Sequence, residues 1–222
     1  VRLLEVIACS LADAIAAQNG GAGRLEIVRT PESGGLTPAV ALVREIVAAV
    51  SIPVRVMLRE NPGFQVAGEA GTEALCVAAR DFSQIGVNGL VIGCLRGTEL
   101  DLAVIERVFS AAPGLKATFH RAFEELGNHE AAIAALKRLP QFDRILASPA
   151  RVRNLNQLVA WGAPELTLVA GGGLDRAMLQ SLLRTSAIRE FHFGRAVRPG
   201  NDIRQQVDSR RVRELADLVA MP

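Results

Sequence analysis

The chain has 222 residues, half of them apolar, and its 25 Lys and Arg against 23 Asp and Glu leave a formal net charge of +2. That near balance excludes a dedicated nucleic-acid binder, which needs a basic face to neutralise several phosphates, so no nucleic-acid partner is expected. The apolar share is ample for a large core, and the length admits one large domain or two small ones.

Along the chain, short apolar runs of strand character alternate with longer stretches rich in Ala, Leu, Arg and Glu at helical spacing. A strand is predicted over Leu3 to Ala8. The helix after it, Ser10 to Asn19, has Ser10 as N-cap and Asn19-Gly20 as its stop signal. The strands Arg24 to Val28, Pro53 to Leu58, Gly89 to Gly93 and Leu115 to His120 follow, each with a helix: Pro38 to Val50, Gly71 to Ile85, Asp101 to Ala112 and His129 to Leu139. The last three strands are Asp143 to Ala147, Glu165 to Ala170 and Arg189 to Gly194, with helices over Arg151 to Trp161, Asp175 to Ser186 and Ser209 to Met221.

Eight strand–helix units of about 28 residues each fit an α/β fold, a (β/α)8 TIM barrel. A doubly wound open sheet would show a glycine-rich nucleotide turn after its first strand, where this chain has Ala8-Cys9-Ser10. No linker or shift of composition interrupts the pattern, so residues 1–222 are expected to form one barrel domain. The longest irregular stretch, Arg59 to Glu69, should lie over the barrel mouth.

All but Lys116 and Lys137 of the basic residues are arginine and there is no tyrosine, which leaves Schiff-base or tyrosine-acid mechanisms short of candidates. Cys9, Cys76 and Cys94 are too widely spaced for a disulfide framework or a zinc knuckle and read as free thiols. No apolar run approaches the roughly 18–20 residues of a membrane span, and Val1-Arg2-Leu3-Leu4-Glu5 carries no signal-peptide core, so a cytoplasmic protein without a membrane partner is expected. Val1 in place of methionine reads as a trimmed or alternative start.

Alternation places Glu5, Ile7 and Cys9 on one face of the first strand and Arg24, Glu26 and Val28 on one face of the second. Charged side chains do not suit the ring of apolar helices, so Glu5, Arg24 and Glu26 should point into the barrel and satisfy one another, with Arg59 completing the cluster. Such a cluster is either a structural ion network or, in the members nearest the strand ends, catalytic machinery. Thr118 and His120 share a face at the end of the fifth strand, which places a hydroxyl and an imidazole at the barrel top with Arg121 just beyond. His192 also falls near a strand end, whereas His129, at a helix start, reads as solvated. Gly171-Gly172-Gly173 and Gly194-Arg195 end the seventh and eighth strands, where barrels often hold a phosphate; a simple tight turn capped by Asp175 is the other reading. Arg195 and Arg198 would strengthen an anion site.

With these residues the sequence resembles the CutC copper-homeostasis family, whose fold is a TIM barrel. The likeness runs from about Leu3 to at least Ala196, and its most specific parts are Thr118-Phe119-His120-Arg121-Ala122-Phe123 and Gly34-Gly35-Leu36-Thr37-Pro38. The resemblance implies a cytoplasmic, homo-oligomeric protein that handles copper. In the family, copper ligation has been attributed to two cysteines, each two residues after a strand glutamate; here those positions are Ile7 and Val28, which cannot ligate Cu(I). Cys94 with His120 is the only sulfur–imidazole pair on neighbouring strand ends and stands as the candidate metal pair.

Two functions are therefore expected of the barrel mouth, with a metal or a small molecule as its partner. One is copper handling. The other is a lyase or isomerase acting on a small phosphorylated or carboxylated substrate. In it His120 would be the general acid or base, Arg59 and Arg121 would clamp the substrate, and Glu5 and Glu26 would orient it or move protons. Arg24, Thr118, His192 and the two glycine turns would hold the anion.

Overall fold

A strand that returns parallel to its predecessor needs a crossover of about a dozen residues or more, which a helix supplies. The computed structural model, which describes residues 2–221, shows this arrangement eight times. Val1, the residue read as a trimmed start, lies outside the described residues. The first half of the chain runs β1 (Leu3–Ala8), α1 (Leu11–Gly20), β2 (Arg24–Ile27), α2 (Val40–Ala49), β3 (Val54–Met57), α3 (Gly68–Ile85) and β4 (Gly89–Ile92). A short antiparallel hairpin, β5 (Leu95–Arg96) and β6 (Glu99–Leu100), comes next. The chain continues with α4 (Leu102–Ala111), β7 (Lys116–Phe119), α5 (His129–Leu136), β8 (Phe142–Ala147), α6 (Leu155–Gly162), β9 (Thr167–Ala170), α7 (Arg176–Thr185), β10 (Glu190–Phe193) and α8 (Ser209–Ala220).

The eight longer strands close into a parallel barrel in the order β1-β10-β9-β8-β7-β4-β3-β2, the expected (β/α)8 fold. The hairpin is an addition to that expectation. It turns at Gly97, whose φ of 64° suits glycine. No described helix is long and apolar enough to cross a membrane.

Local chemistry sets most helix ends. Ser10 caps α1 by accepting from the Asp13 amide at 3.1 Å, and Asp175 caps α7 by accepting from Met178 at 2.8 Å. Pro38, by contrast, lies outside α2, whose N-cap is Ala39.

Leu4, Val6 and Ala8 of β1 and Phe191 and Phe193 of β10 face the helices in one continuous apolar layer. A fully buried Leu, Ile or Phe side chain contributes roughly 1.5–3 kcal/mol, so this outer layer can carry the stability of the barrel. The interior differs. It holds a small apolar cluster of Val28, Met57 and Val91, with Ile7 and Cys9 packed against it, and much of the remaining interior is charged.

Candidate functional site

The lower barrel is filled by an ion network. Arg24, 2% exposed, hydrogen-bonds Glu5 and reaches Glu190 at 2.5 Å. Arg144 forks onto the same Glu190 at 2.7 and 3.0 Å and also pairs with Asp143. Arg55 grips Asp143 with two bonds of 2.8 and 2.6 Å and donates to the Thr118 hydroxyl at 2.7 Å. The expected inward placement of Glu5, Arg24 and Glu26 is what the structure shows, but Arg55, Asp143, Arg144 and Glu190 complete the cluster rather than Arg59. Thr118 is correspondingly deeper than expected: its hydroxyl belongs to this network and not to the barrel top.

Above the network, Glu5, Glu26 and His192 meet on the adjacent strands β10, β1 and β2. The Nδ1 of His192 lies 2.7 Å from a Glu5 carboxylate oxygen and 3.5 Å from Oε2 of Glu26. All three residues are buried, and Oε2 of Glu26 has no hydrogen-bond partner among the described residues. Burial opposes the Glu5 charge, but Arg24 and His192 outweigh it and hold the carboxyl well below the usual carboxylate range. For Glu26 burial wins: its carboxyl is pushed up to about 7, with Glu5 adding to the rise and His192 and Arg24 opposing it. Burial also disfavours a charged His192, yet Glu26 and Glu5 together raise its affinity for a proton.

His120 is held differently. Its Nδ1 accepts a hydrogen bond from the Ala122 amide at 3.2 Å, capping the single helical turn Arg121–Glu125. The ring occupies space left by Gly93, where a Cβ would come within 2.4 Å of Nδ1. Phe64 packs against it at 5.2 Å between ring centroids. Nε2 is buried without a hydrogen-bond partner among the described residues. Burial lowers the imidazole to about 3, and the charges of Arg59 and Arg121 act in the same direction. Burial and the two guanidiniums thus favour the neutral imidazole at His120.

A cavity of about 470 Å³ opens at the carboxyl ends of the strands. Glu26, His192 and His120 line it, as do Arg59, Arg121 and Arg195. Gly172 and Gly173, with φ of 80° and 94°, and Gly194 also contribute to its wall. Gly171 acts from behind: a Cβ there would come within 3.0 Å of His192 Cβ and 2.6 Å of Leu146. The glycine run is thus both a turn leading to the Asp175 cap and a wall of the cavity.

The arginines divide by their partners. The Arg59 guanidinium is spent on backbone carbonyls, those of Gly63 and Gly34 at 3.2 Å and those of Gly35 and Pro62, with Phe64 beneath it, so it ties two mouth loops together rather than clamping a substrate. Arg121 forks onto Glu124 at 2.6 and 2.9 Å. Arg198 is fully buried and bound to Asp13 at 3.1 Å and to the Gly194 and Gln205 carbonyls, which removes it from the expected anion site. Arg195 is exposed and makes no ion pair or side-chain hydrogen bond with a described residue.

The sulfur candidates are not brought together with an imidazole. Cys94 lies in the outer apolar layer, because its parity on the chain leaving β4 is opposite to that of Gly93, while His120 faces the cavity. Burial pushes the thiols of Cys94 and Cys9 up to about 12, away from the thiolate that a metal needs. Ile7 and Val28 line the cavity as apolar wall. His129, expected to be solvated, is half-buried and stacks on Phe123 at 4.5 Å.

Similarity to known proteins agrees with this architecture. The CutC family model matches residues 2–197. CutC family proteins of Pasteurella multocida and Salmonella enteritidis are 30% and 32% identical, over 86% and 88% of this chain and 80% of each relative. The fold superimposes on the crystal structure of CutC from Streptococcus agalactiae with a TM-score of 0.79 at 23% identity, covering 86% of this chain and 98% of that one. With the match extending over nearly the whole barrel, the chain belongs to the CutC family.

Proposed function

We propose that the barrel mouth is the active site of an enzyme, a lyase or isomerase, that moves a proton on a small phosphorylated or carboxylated substrate. The observation that carries this reading is the unpartnered, buried carboxylate oxygen of Glu26 on a cavity-lining residue, 3.5 Å from His192. A buried acceptor left without a partner costs stability, and a carboxyl raised toward neutrality is suited to giving and taking protons. Glu26 is the proton-transferring group. Glu5 fixes His192 through Nδ1, so that Nε2 is the ring atom left to exchange a proton. Arg195 and the Gly172-Gly173 turn supply positive potential for an anionic substituent at the end of the barrel where barrel enzymes bind their substrates.

The copper role that the family resemblance implies does not fit the donors of this chain. Cu(I) favours thiolate and thioether sulfur; Ile7 and Val28 stand in the cavity wall where the family's cysteines would, and the single thioether of Met57 is the sulfur found among the cavity-lining residues. No step is assigned to copper. The test is a thermal-shift panel of phosphorylated and carboxylated metabolites against the parent protein and Glu26→Gln. A compound that stabilises the parent and is turned over by it but not by E26Q is expected. A panel in which no member shifts the parent would overturn the reading.

A further inference from the structure

The bonding of His120 fixes its tautomer. The Ala122 amide donates to Nδ1, so that nitrogen carries a lone pair and the single proton of the neutral ring resides on Nε2. The two charged side chains that act on the ring, Arg59 and Arg121, are both cationic and oppose a second proton. Gly93 behind the ring and Phe64 beside it leave little freedom to rotate. The Nε2–H is therefore a buried donor without an acceptor, on a residue that lines the same cavity as the unpartnered Glu26 oxygen. A donor and an acceptor, each buried and without a partner among the described residues, on two residues that line one cavity, suit a ligand that presents an acceptor to the one and a proton to the other.

We infer that the substrate is an enolisable carbonyl compound bearing a phosphate or carboxylate, whose carbonyl oxygen receives the Nε2–H of His120 while Glu26 removes a proton from the adjacent carbon. The C–H bond breaks and its proton passes to the Glu26 carboxylate. The electron pair forms the carbon–carbon double bond of an enolate, and the charge moves to the oxygen. His120 stabilises that oxyanion as a fixed neutral donor, and the proton returns from Glu26 to the carbon it left or, where that carbon bears a hydroxyl, to the former carbonyl carbon while the hydroxyl proton moves to the enolate oxygen, so no other reactant is consumed. The inference rests on the proposed proton-transfer site and adds the class of its substrate and the role of His120.

The first test needs no substrate. In 15N-histidine-labelled protein, long-range 1H–15N spectra should show His120 as the neutral Nε2–H tautomer from pH 5 to 9. An Nδ1–H tautomer, or titration within that range, would overturn the inference. The second test incubates the protein in D2O with dihydroxyacetone phosphate and with 2-oxobutanoate, follows exchange of the protons next to the carbonyl by NMR, and measures binding of each probe by thermal shift. The parent should exchange at least one probe. His120→Leu should slow that exchange by about 10²–10³-fold, the cost of losing one oxyanion donor, with His120→Gln, which keeps an N–H, intermediate. Binding without exchange, or exchange undiminished in H120L, sinks the carbonyl assignment alone. Neither binding nor exchange sinks the proton-transfer reading with it.

Discussion

Arg24→Met should be among the most damaging single changes in the barrel interior. Arg24 is 2% exposed and bridges Glu5 to Glu190. Its removal leaves Glu190 with Arg144 at 2.7 Å but strips Glu5 of its only guanidinium partner among the described residues, with His192 as the remaining partner. Breaking one side of a buried pair costs roughly 3–5 kcal/mol, because the orphaned charge keeps its desolvation penalty. At about 2–4 °C per kcal/mol for a chain of this size, the melting temperature should fall by roughly 6–20 °C. Urea denaturation at pH 7 measures the free energy directly, and calorimetry the midpoint. The same logic predicts that Glu5→Gln on the R24M background recovers more than half of the loss, since an amide can still accept from His192 and has no charge to orphan. An R24M protein within about 1 kcal/mol of the parent, or a double variant that loses the sum of the two single changes, would refute this dependence of Glu5 on Arg24.

Gly93→Ala places a Cβ 2.4 Å from His120 Nδ1 and should cost about 1–3 kcal/mol in denaturation while displacing the ring; unchanged stability and an unchanged His120 spectrum would refute the packing argument. The folded state raises both the Glu26 carboxyl, to about 7, and His192, so their contribution is present at low pH and lost as pH rises past the ordinary carboxylate and imidazole ranges. Parent stability should therefore drop by about 3 kcal/mol between pH 5 and 8 relative to Glu26→Gln, and a parent that gains on E26Q over that interval would contradict the assignment. Cu(I) titration against a competing chelator should reveal no site tighter than free thiols, and a stoichiometric tight site would restore the copper reading. Arg195→Glu should leave stability within about 0.5 kcal/mol and abolish the rise in melting temperature given by inorganic phosphate; an undiminished rise would remove Arg195 from anion binding.

Much of the barrel is legible because its strands are short apolar runs, and Leu3 to Ala8 matches β1 residue for residue. The inward placement of Glu5, Arg24 and Glu26 follows from a rule about charges on apolar strands, and the same rule applies to Arg55 between Val54 and Val56. Asp143 escapes it. The register shifts between Ala117 and Thr118 where β7 meets β8, so both Asp143 and its neighbour Arg144 join the interior network, which strict alternation forbids. Hydrogen bonds to loop carbonyls left no trace in the residue pattern. Nothing in the sequence distinguishes Arg59, spent on backbone, or Arg198, spent on backbone and Asp13, from Arg195, whose side chain has no partner among the described residues. The tautomer of His120 depends on the Ala122 amide turning back onto the ring, a feature of the helical turn after β7.

A structural ion network and a catalytic cluster, set apart as alternatives from sequence, are compatible: the proposed proton-transfer site sits directly on the network. The buried interior places the carboxylates Glu5, Glu26, Asp143 and Glu190 against the guanidiniums of Arg24, Arg55 and Arg144. One positive charge is missing from that set. Glu5, Asp143 and Glu190 each hold an arginine partner, so the deficit falls on Glu26, and a single proton shared with His192 supplies it. A network that satisfied Glu26 as well would be inert. By pairing every carboxylate of this set except the one on the cavity-lining Glu26, the lower barrel leaves the proton at the place where the proposed reaction needs it.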